Sequence, residues 1–369
     1  MFVIPTLRLG GSESQLAALC PGLLASGVLP TVFILRAEGP LVSRLRNAGI
    51  EVITPRPCPR PLKLFLCAFH LWAQLLKRRI AVVHFFLPEA YLVGGVASLA
   101  VPGLRRVMSR RSLNHYQQNH PILARVERWL HRRMDLITGN SNAVLRELRT
   151  EGIEEHRLRL IPNGIEVAPD EAGIEPAETG LPHDGFAIVT IANLHAYKGH
   201  ALALRALARI SEQLPPSWVY LCIGADAGYG NALVALADEL GLAGRVRWLG
   251  AVEDAHRWLA RCDLMVHPSH QEGLPNSILE AMWWRVPVVA TAVGGVPDLI
   301  PSPAFGRLVP PNDTRALAEG ILELSSDPEA RHAVAHQAHA RARDEFSLAR
   351  CVEGHCDVYA LVTRGVAPR

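Results

Sequence analysis

The chain has 369 residues, of which 49% are apolar and 20% are charged. This length predicts two domains of about 150–200 residues each, and the composition excludes a disordered, fibrous or small disulfide-stapled protein. The 7 cysteines include no C-x-x-C pair, which favours reduced, mostly buried thiols in a cytosolic protein over a disulfide or zinc framework. The first residues carry no basic segment and no cleavage site, and we therefore expect no signal peptide.

The net charge of +3 is unevenly distributed along the chain. Residues 1–170 contain 22 Lys and Arg against 12 Asp and Glu, and the remainder contains 16 against 23. The first half is therefore basic, with a net charge of +10, and the second half is acidic, with −7. A basic half predicts contact with an anionic partner, for which nucleic acid, an anionic membrane surface and a phosphorylated acceptor are all open.

The first half alternates between short apolar strands and amphipathic helices. A charge-free run at residues 14–35 is interrupted by Pro21, Gly22, Gly27 and Pro30, which indicates a buried helix, a turn and a strand rather than a membrane span. Strands are predicted at residues 2–7, 31–35, 51–54, 81–85, 106–109 and 135–138, and helices from residue 12 and at residues 39–48, 62–79, 90–99 and 122–134. This alternation predicts a doubly wound parallel sheet.

Residues 171–185 are rich in Gly, Pro, Glu and Ala and lack periodicity, which predicts a linker. A second alternating series follows it. Strands are predicted at residues 186–191, 218–223, 246–249, 264–267 and 288–290, and helices at residues 201–213, 231–240, 255–261, 276–285 and 314–325. The sequence therefore predicts two similar α/β domains in tandem.

The clearest chemistry lies at residues 269–299. An apolar strand leads to Glu272 in a loop, and Pro275 then opens a helix that contains Glu280. Asn276 and Ser277 leave free backbone N–H groups in the first turn, and such a helix end attracts phosphate. A carboxylate is also a good acceptor for paired sugar hydroxyls. The pattern favours a ligand with phosphate and sugar groups, and an acidic helix start without a ligand is the alternative.

This segment resembles the signature of glycosyltransferase family 4, the retaining nucleotide-sugar transferases of the GT-B fold. The family's E-x7-E element matches Glu272 and Glu280, and its E-A-M, P-V-V-A-T and G-G-x-P-[ED] elements match residues 280–282, 287–291 and 294–298. Three further segments match in order: L-G-G-S-E at residues 9–13, I-P-N-G-I at residues 161–165, and I-A-N-L with K-G at residues 191–199. The resemblance spans nearly the whole chain and implies two Rossmann-like doubly wound domains that face a central cleft.

The resemblance also implies residue roles. Glu272 is expected to contact the donor sugar's hydroxyls, and Glu280 those of the ribose. Lys198, the only lysine of the second domain, is expected to neutralise the departing diphosphate, because positioned cations stabilise developing charge; a solvated surface lysine is the alternative. Gly11 is expected to let the backbone approach the donor. The catalytic candidates are thus Glu272 and Lys198, and the donor-binding candidates are Gly11, Asn193, Lys198, Glu272, Leu274, Pro275, Asn276, Ser277 and Glu280.

Three positions depart from the family's pattern, of which one is residues 283–285, where Trp-Trp-Arg replaces the small residues usual before Pro287. Asn193 stands where many relatives have an arginine, so one fixed charge is lost. Arg111 aligns loosely with a histidine of many relatives, so a histidine base is not carried over, and Arg111 is expected to bind the donor phosphate or an anionic acceptor. Gly10, His84 and Arg111 are the candidate cleft or acceptor residues; for His84 a satisfied core histidine is an equal alternative.

No D-x-D motif, no H-E-x-x-H motif and no His/Cys cluster occurs in the sequence. Metal-binding transferases of the GT-A type depend on a D-x-D device, whereas the resemblance implies that Lys198 and helix ends replace Mg²⁺. We therefore expect no metal site and no cofactor, with the nucleotide-sugar acting as a substrate.

Two basic amphipathic stretches, residues 60–79 and 105–133, combine Arg and Lys with Leu, Phe and Trp. Such stretches seat helices on an anionic lipid surface; two ordinary helices with solvated basic faces are the alternative. No nucleic-acid-binding motif is present, so a nucleic acid partner is not expected.

The resemblance and the charge pattern together predict a cytoplasmic, retaining glycosyltransferase, peripheral at the inner face of the cell membrane. Residues 1–170 are expected to bind the acceptor, a lipid-linked or phosphorylated glycan of a surface polysaccharide. Residues 171–345 are expected to bind the nucleotide-sugar, a UDP-sugar, and a C-terminal helix at about residues 346–369 is expected to pack on the first domain. A nucleotide-sugar epimerase of the GT-B fold and a non-catalytic sugar-nucleotide-binding protein are the alternatives.

Overall fold

The computed structural model describes residues 1–36, 39–54, 63–113, 120–165 and 185–364. The chain divides into two compact units. The first unit is Met1–Gly164 with Leu348–Arg369, and the second unit is Ile165–Ser347. The predicted domain boundary between residues 170 and 171, and residues 171–184 of the predicted linker, lie outside the described residues.

The first unit contains a sheet of seven parallel strands in the order β3-β2-β1-β4-β5-β6-β7. The strands are β1 (Phe2–Ile4), β2 (Thr31–Ile34), β3 (Glu51–Ile53), β4 (Val82–Phe86), β5 (Arg105–Arg110), β6 (Leu136–Gly139) and β7 (Leu158–Leu160). The strand order reverses between β1 and β4, which pair directly. In doubly wound sheets, the carboxyl ends of strands at such a reversal border a crevice where ligands bind.

Helices cover both faces of this sheet. They are α1 (Gly11–Ala25), α2 (Leu41–Asn47), α3 (Lys63–Lys77), α4 (Pro88–Ser98), α5 (Pro121–His131), α6 (Asn142–Thr150) and α13 (Leu348–Thr363). Helix α1 continues through Pro21 to Ala25 with Leu16, Leu19 and Leu23 buried along it, and a turn at Gly27 and strand β2 follow as predicted. The C-terminal helix α13 belongs to the first unit, where Cys351 and Val358 share a core cluster with Leu16.

The second unit contains six parallel strands in the order β10-β9-β8-β11-β12-β13. The strands are β8 (Ala187–Ile191), β9 (Val219–Ile223), β10 (Val246–Gly250), β11 (Leu264–His267), β12 (Val288–Thr291) and β13 (Arg307–Val309). Most of their residues are buried, as expected of parallel strands that are covered on both faces. The prediction of two doubly wound parallel sheets is thus confirmed.

The helices of the second unit depart from the predicted set at three places, of which one is the short unpredicted helix Val296–Leu299. They are α7 (His200–Ile210), α8 (Gly230–Glu239), α9 (Asn276–Trp283), α10 (Val296–Leu299), α11 (Thr314–Ser326) and α12 (Pro328–Glu345). The segment Ala255–Arg261 is a 3-10 helix and not an α-helix. The long helix α12 was not predicted; it begins where the Asp327 side chain accepts a hydrogen bond from the Ala330 N–H at 2.9 Å.

Candidate active site

Three neighbouring strands of the second unit deliver the predicted donor-binding residues to one edge of the sheet. Strand β8 ends at Ile191, β11 ends at His267, and β12 ends at Thr291. Strand β11 pairs with both β8 and β12. Because all three run parallel, the loops that follow them meet at the carboxyl edge. These loops carry Lys198 and Glu272.

Lys198 and Glu272 form a half-buried ion pair at this edge. The Lys198 Nζ donates to Glu272 Oε1 at 2.7 Å, across 74 residues of sequence. His267 Nε2 lies 2.9 Å from the same Oε1 atom. The side chains of Lys198, Glu272 and His267 are 19%, 9% and 1% exposed. Among the described residues both hydrogen bonds end on Oε1, which leaves Oε2 available to a ligand.

The surroundings keep Glu272 ionised. Burial acts to raise the pKa of its carboxyl, but the charge of Lys198 and the hydrogen bond with His267 outweigh burial and lower the pKa to about 2. Glu272 is therefore an anion at neutral pH. Its charge is already matched by Lys198, so a second anion that reaches this edge competes with Glu272 for the lysine.

Two glycines allow the loops to approach each other closely. Gly294 has φ +54°, and a Cβ atom there would lie 1.8 Å from the Glu272 carbonyl oxygen. Gly199 has φ +73°, and a Cβ atom there would lie 1.9 Å from the Pro268 carbonyl oxygen. A side chain at either position would force the backbone apart. The glycines of the matched motifs thus hold the backbone beside Glu272 and Lys198 in place.

Helix α9 begins directly after the Glu272 loop. Pro275 precedes its first residue with an extended backbone, and Asn276 and Ser277 form its first turn with their side chains half-buried. Leu274 and Pro275 are buried. Glu280 lies one turn inside the helix, where burial raises the pKa of its carboxyl although the nearby His256 acts to lower it. The two glutamates therefore occupy different environments, since Glu272 forms an ion pair and burial of Glu280 disfavours its charged form.

Asn193 connects two loops. Its Oδ1 accepts a hydrogen bond from the Ala225 N–H at 3.0 Å, which ties the loop after β8 to the loop after β9. Nearby, His200 opens helix α7, and its Nε2 lies 3.2 Å from the Ala192 carbonyl oxygen. Burial lowers the pKa of His200 to about 4, so this histidine is neutral near pH 7. Sequence reasoning identified neither His200 nor His267.

The first unit places Gly10, Gly11 and Arg111 at the carboxyl edge of its own sheet, after β1 and β5. Arg111 Nη2 donates to Asn163 Oδ1 at 2.6 Å, and its guanidinium lies 5.4 Å from the Phe86 ring centroid. Burial lowers the pKa of Arg111 to about 10, so it stays charged at neutral pH. Asn163 belongs to the matched I-P-N-G-I segment, which therefore positions this arginine.

Gly10 caps helix α1, and Gly11 is its first residue. A Cβ atom on Gly10 would lie 2.6 Å from the Glu13 carboxylate, which itself accepts a hydrogen bond from Thr6 Oγ1 at 3.4 Å. Burial raises the pKa of Glu13. A carboxyl group thus lies against the glycine turn, although Glu13 was not among the predicted site residues.

His84 is a core residue and does not line a site edge. It is 1% exposed within β4, its Nδ1 lies 2.8 Å from Tyr359 Oη, and its Nε2 lies 2.8 Å from Ser109 Oγ. Burial lowers the pKa of His84 well below its usual range. The cleft role proposed for His84 is wrong for this reason, and the alternative of a satisfied core histidine fits.

The described part of the chain contains no group of three or more His, Cys, Asp or Glu side chains placed to hold a metal ion. None of the described helices is both long and apolar enough to cross a membrane.

Each half of the chain matches the sequence model of a glycosyltransferase family. Residues 9–169 match Glycosyltransferase Family 4, and residues 173–341 match Glycosyl transferases group 1. Two doubly wound parallel sheets of seven and six strands, with these matches, define a protein of the GT-B class. The chain belongs to the group 1 glycosyltransferases, as its motifs predicted.

Two curated relatives are bacterial glycosyltransferases. The lipopolysaccharide core biosynthesis mannosyltransferase LpcC of Rhizobium leguminosarum bv. viciae is 31% identical over 231 residues, 60% of this chain and 63% of the relative. The N-acetylgalactosamine-N,N'-diacetylbacillosaminyl-diphospho-undecaprenol 4-alpha-N-acetylgalactosaminyltransferase of Campylobacter jejuni is 28% identical over 225 residues, 60% of each chain. The chain thus spans about three fifths of the length of these relatives.

Solved structures share the fold over nearly the full chain. Anabaena Alr3699/HepE in complex with UDP has a TM-score of 0.83 at 23% identity and covers 98% of this chain and 99% of its own. WaaG, a glycosyltransferase involved in lipopolysaccharide biosynthesis, has a TM-score of 0.74 at 18% identity and covers 99% of this chain and 100% of its own.

Proposed function

We propose that this protein is a retaining glycosyltransferase that moves a sugar from a UDP-sugar to a lipid-linked glycan acceptor. The observation that carries the proposal is the Lys198–Glu272 ion pair at the carboxyl edge of the second unit, 2.7 Å long and backed by His267. The name of the Campylobacter jejuni relative contains a diphospho-undecaprenol acceptor, and the HepE structure holds UDP. Both names support the proposed substrate classes.

In the proposed mechanism the diphosphate of the donor binds at the start of α9. Lys198 then breaks its ion pair with Glu272 and forms one with the diphosphate. The backbone N–H groups of the first turn and the lysine stabilise negative charge on the leaving diphosphate. No side chain acts as a nucleophile. The acceptor hydroxyl attacks the anomeric carbon from the face that the diphosphate leaves, the bond from that carbon to the diphosphate oxygen breaks, and the hydroxyl proton passes to the departing diphosphate. Lys198 supplies the positive charge in this account, so we propose that no divalent metal ion or cofactor is needed.

The two glutamates divide the recognition of the donor. Release of Lys198 leaves Glu272 held by His267 alone, with its anionic carboxylate free to accept hydrogen bonds from the donor sugar's hydroxyls. Glu280, one turn further along α9, is proposed to bind the ribose hydroxyls. The ion pair thus keeps Glu272 charged until the sugar arrives.

We further propose that the protein acts as a peripheral protein at the cytoplasmic face of the membrane, where a lipid-linked acceptor lies. Helix α3 exposes a row of apolar side chains, with Leu64 57%, Phe65 71% and Phe69 56% exposed. Its C-terminal end carries Lys77, Arg78 and Arg79. Apolar residues beside basic ones favour docking on anionic lipid. Arg78 also donates to Glu51 at 2.7 Å, so Lys77 and Arg79 provide most of the uncompensated charge.

The function is tested by incubating the purified protein with a panel of nucleotide-sugars, with and without a membrane lipid extract, and analysing the products by mass spectrometry. The proposal predicts a glycolipid heavier by one sugar, formed only when lipid is present and also after treatment with a metal chelator. Conversion of the donor to an isomer without lipid would show an epimerase. Binding of the nucleotide-sugar without any product would show a non-catalytic protein.

A further inference from the structure

A large cavity lies at the opposite edge of the first unit's sheet from Arg111. Its volume is about 760 Å³. It is lined at the starts of three neighbouring strands, β5, β6 and β7, and by the end of helix α13. Strand β5 spans six residues between this edge and the one with Arg111, so the two edges are roughly 20 Å apart at about 3.3 Å per residue. The cavity is therefore separate from the edge of this sheet that carries Arg111.

Arginines dominate the lining of this cavity. Seven of them line it: Arg105, Arg106, Arg132, Arg133, Arg157, Arg159 and Arg364. We name this set the arginine basin. Among the described residues that line it, Asp135 is the only one with a carboxylate, and it accepts a hydrogen bond from Arg105 Nη1 at 2.9 Å. Glu155 is adjacent in sequence to the lining residue His156, but it pairs with Arg149 at 2.6 Å. The lining thus carries a large excess of positive charge.

Neutral acceptors hold several of these guanidinium groups in place. Arg106 Nη2 donates to the Ser98 carbonyl at 2.7 Å, Arg157 Nη2 donates to the His131 carbonyl at 2.7 Å, and Arg159 Nη1 donates to the Leu158 carbonyl at 2.7 Å. A carbonyl oxygen orients a guanidinium without neutralising it. The positive charges are therefore positioned in advance, which lowers the entropy that an anion loses in ordering them.

Other guanidinium groups of the arginine basin are not held by an acceptor among the described residues. Arg132 and Arg364 are exposed and make no hydrogen bond or ion pair within the part of the chain that the structure describes. The Arg105 Nε is buried and has no hydrogen-bond partner there either. The basin therefore combines fixed positive charge with donors that the described protein groups do not use.

We propose that the arginine basin binds phosphate groups, carried either by a small soluble phosphate compound or by a lipid headgroup. The planar fork of donors on a guanidinium matches the oxygens of phosphate, and several such forks around one cavity suit a ligand with more than one phosphate charge. The cavity volume falls in the range typical of small-ligand sites, about 300–1,000 Å³. This site is independent of the donor site in the second unit.

Calorimetric titration of the full chain with inorganic pyrophosphate at low salt tests the soluble source. The basin variant combines Arg132→Gln and Arg364→Gln. The control combines Arg44→Gln and Arg146→Gln, which remove the same charge from exposed positions on α2 and α6. We expect the basin variant to bind pyrophosphate at least about tenfold more weakly than wild type and the control to change less than about twofold, because charge-assisted contacts are lost only in the basin.

Both variants change residues of the first unit only, so we expect pyrophosphate to bind near Lys198 equally well in both. The difference in affinity between the two variants therefore measures binding to the arginine basin, even if the donor-site proposal fails. Arg132→Gln alone serves as the basin variant if the double change lowers the melting temperature. The lipid source is tested by sedimentation with phosphatidylglycerol vesicles. If the basin variant, but not the control, loses vesicle binding, the ligand is a lipid headgroup. If the basin variant loses pyrophosphate binding but keeps vesicle binding, the ligand is a soluble phosphate compound. Equal binding by the basin variant and the control in both experiments would overturn the proposal.

Discussion

Glu272 accepts hydrogen bonds from Lys198 and His267 on a single oxygen atom. Only part of this arrangement could be predicted from the sequence. Glu272, Glu280 and Lys198 follow from motif spacing, because each lies in a loop or helix start that matches the family. The ion pair between Lys198 and Glu272 could not be predicted, since the two residues are 74 positions apart. His267 was hidden because it ends an apolar strand.

Lys198→Ala is expected to slow turnover about 30- to 1000-fold and to weaken donor binding less, because the lysine's charge matters most as the diphosphate leaves. Losing a contact worth roughly 2–4 kcal/mol in the transition state gives this range. Steady-state kinetics with a UDP-sugar and lipid acceptor measure kcat and KM separately. Unchanged turnover in a folded Lys198→Ala variant would exclude the role given to this lysine.

The roles proposed for Glu272 and Glu280 can be distinguished by the binding of UDP, which has the ribose but lacks the donor sugar. Glu280→Gln is expected to weaken the binding of UDP, since the ribose is present in UDP. Glu272→Gln is expected to leave UDP binding nearly intact and to impair the reaction with the full nucleotide-sugar. Isothermal titration calorimetry with UDP alone makes the comparison, and equal losses in the two variants contradict the assignment.

The ionisation of Glu272 also predicts a pH dependence of stability. Its pKa in the folded protein is about 2, below the ordinary value of 4.5. A depressed pKa stabilises the folded state fully above about pH 4.5, and this stabilisation is lost as the pH falls towards 2. Glu272→Gln should therefore melt at a lower temperature than wild type at pH 7, with a gap that narrows below pH 4.5. Melting curves at pH 7, 4.5 and 3 test this, and a gap that does not change with pH would count against the ion pair.

At the scale of elements, periodicity predicted most strands and helices but missed α6, α10 and the long helix α12. This helix spans 18 residues rich in Ala, Arg and His, and its buried residues are Val334 and three alanines. Alanine produces little contrast between an apolar and a polar face, so no amphipathic period is visible. The Asp327-Pro328 pair at its start was the available signal, because Asp is a favoured cap and Pro a favoured first residue.

The proposed membrane docking can be tested by changing the exposed apolar residues of helix α3. Changing Phe65 and Phe69 together to Ser removes two exposed rings. We expect the variant to bind anionic vesicles at least about tenfold more weakly, since burying each apolar side chain in lipid contributes roughly 1.5–3 kcal/mol. The control changes Leu29 and Val234 to Ser, which are 84% and 41% exposed elsewhere. Vesicle sedimentation at low and physiological salt measures the effect. Binding indifferent to the α3 change, or equally affected by the control, would contradict docking through α3.

At the scale of the whole molecule, the two doubly wound sheets were predictable because their central strands are buried apolar runs between amphipathic helices. The edge strands β7 and β13 were missed, since each has three residues and is only partly buried. An edge strand pairs on one side only, and its short, mixed sequence carries little periodic signal. The central strands decide the site, because β8 delivers Lys198 and β11 delivers His267 and Glu272 to one edge, while the loop after β12 places Gly294 against Glu272.

A structure of the protein bound to a UDP-sugar tests the central claim most directly. The account predicts the diphosphate at the start of α9, with a phosphate oxygen within about 3.2 Å of Lys198 Nζ. It also predicts that the Lys198–Glu272 contact of 2.7 Å is broken while the contact between His267 and Glu272 persists. A nucleotide-sugar bound elsewhere, or bound with the Lys198–Glu272 pair intact, would contradict the account.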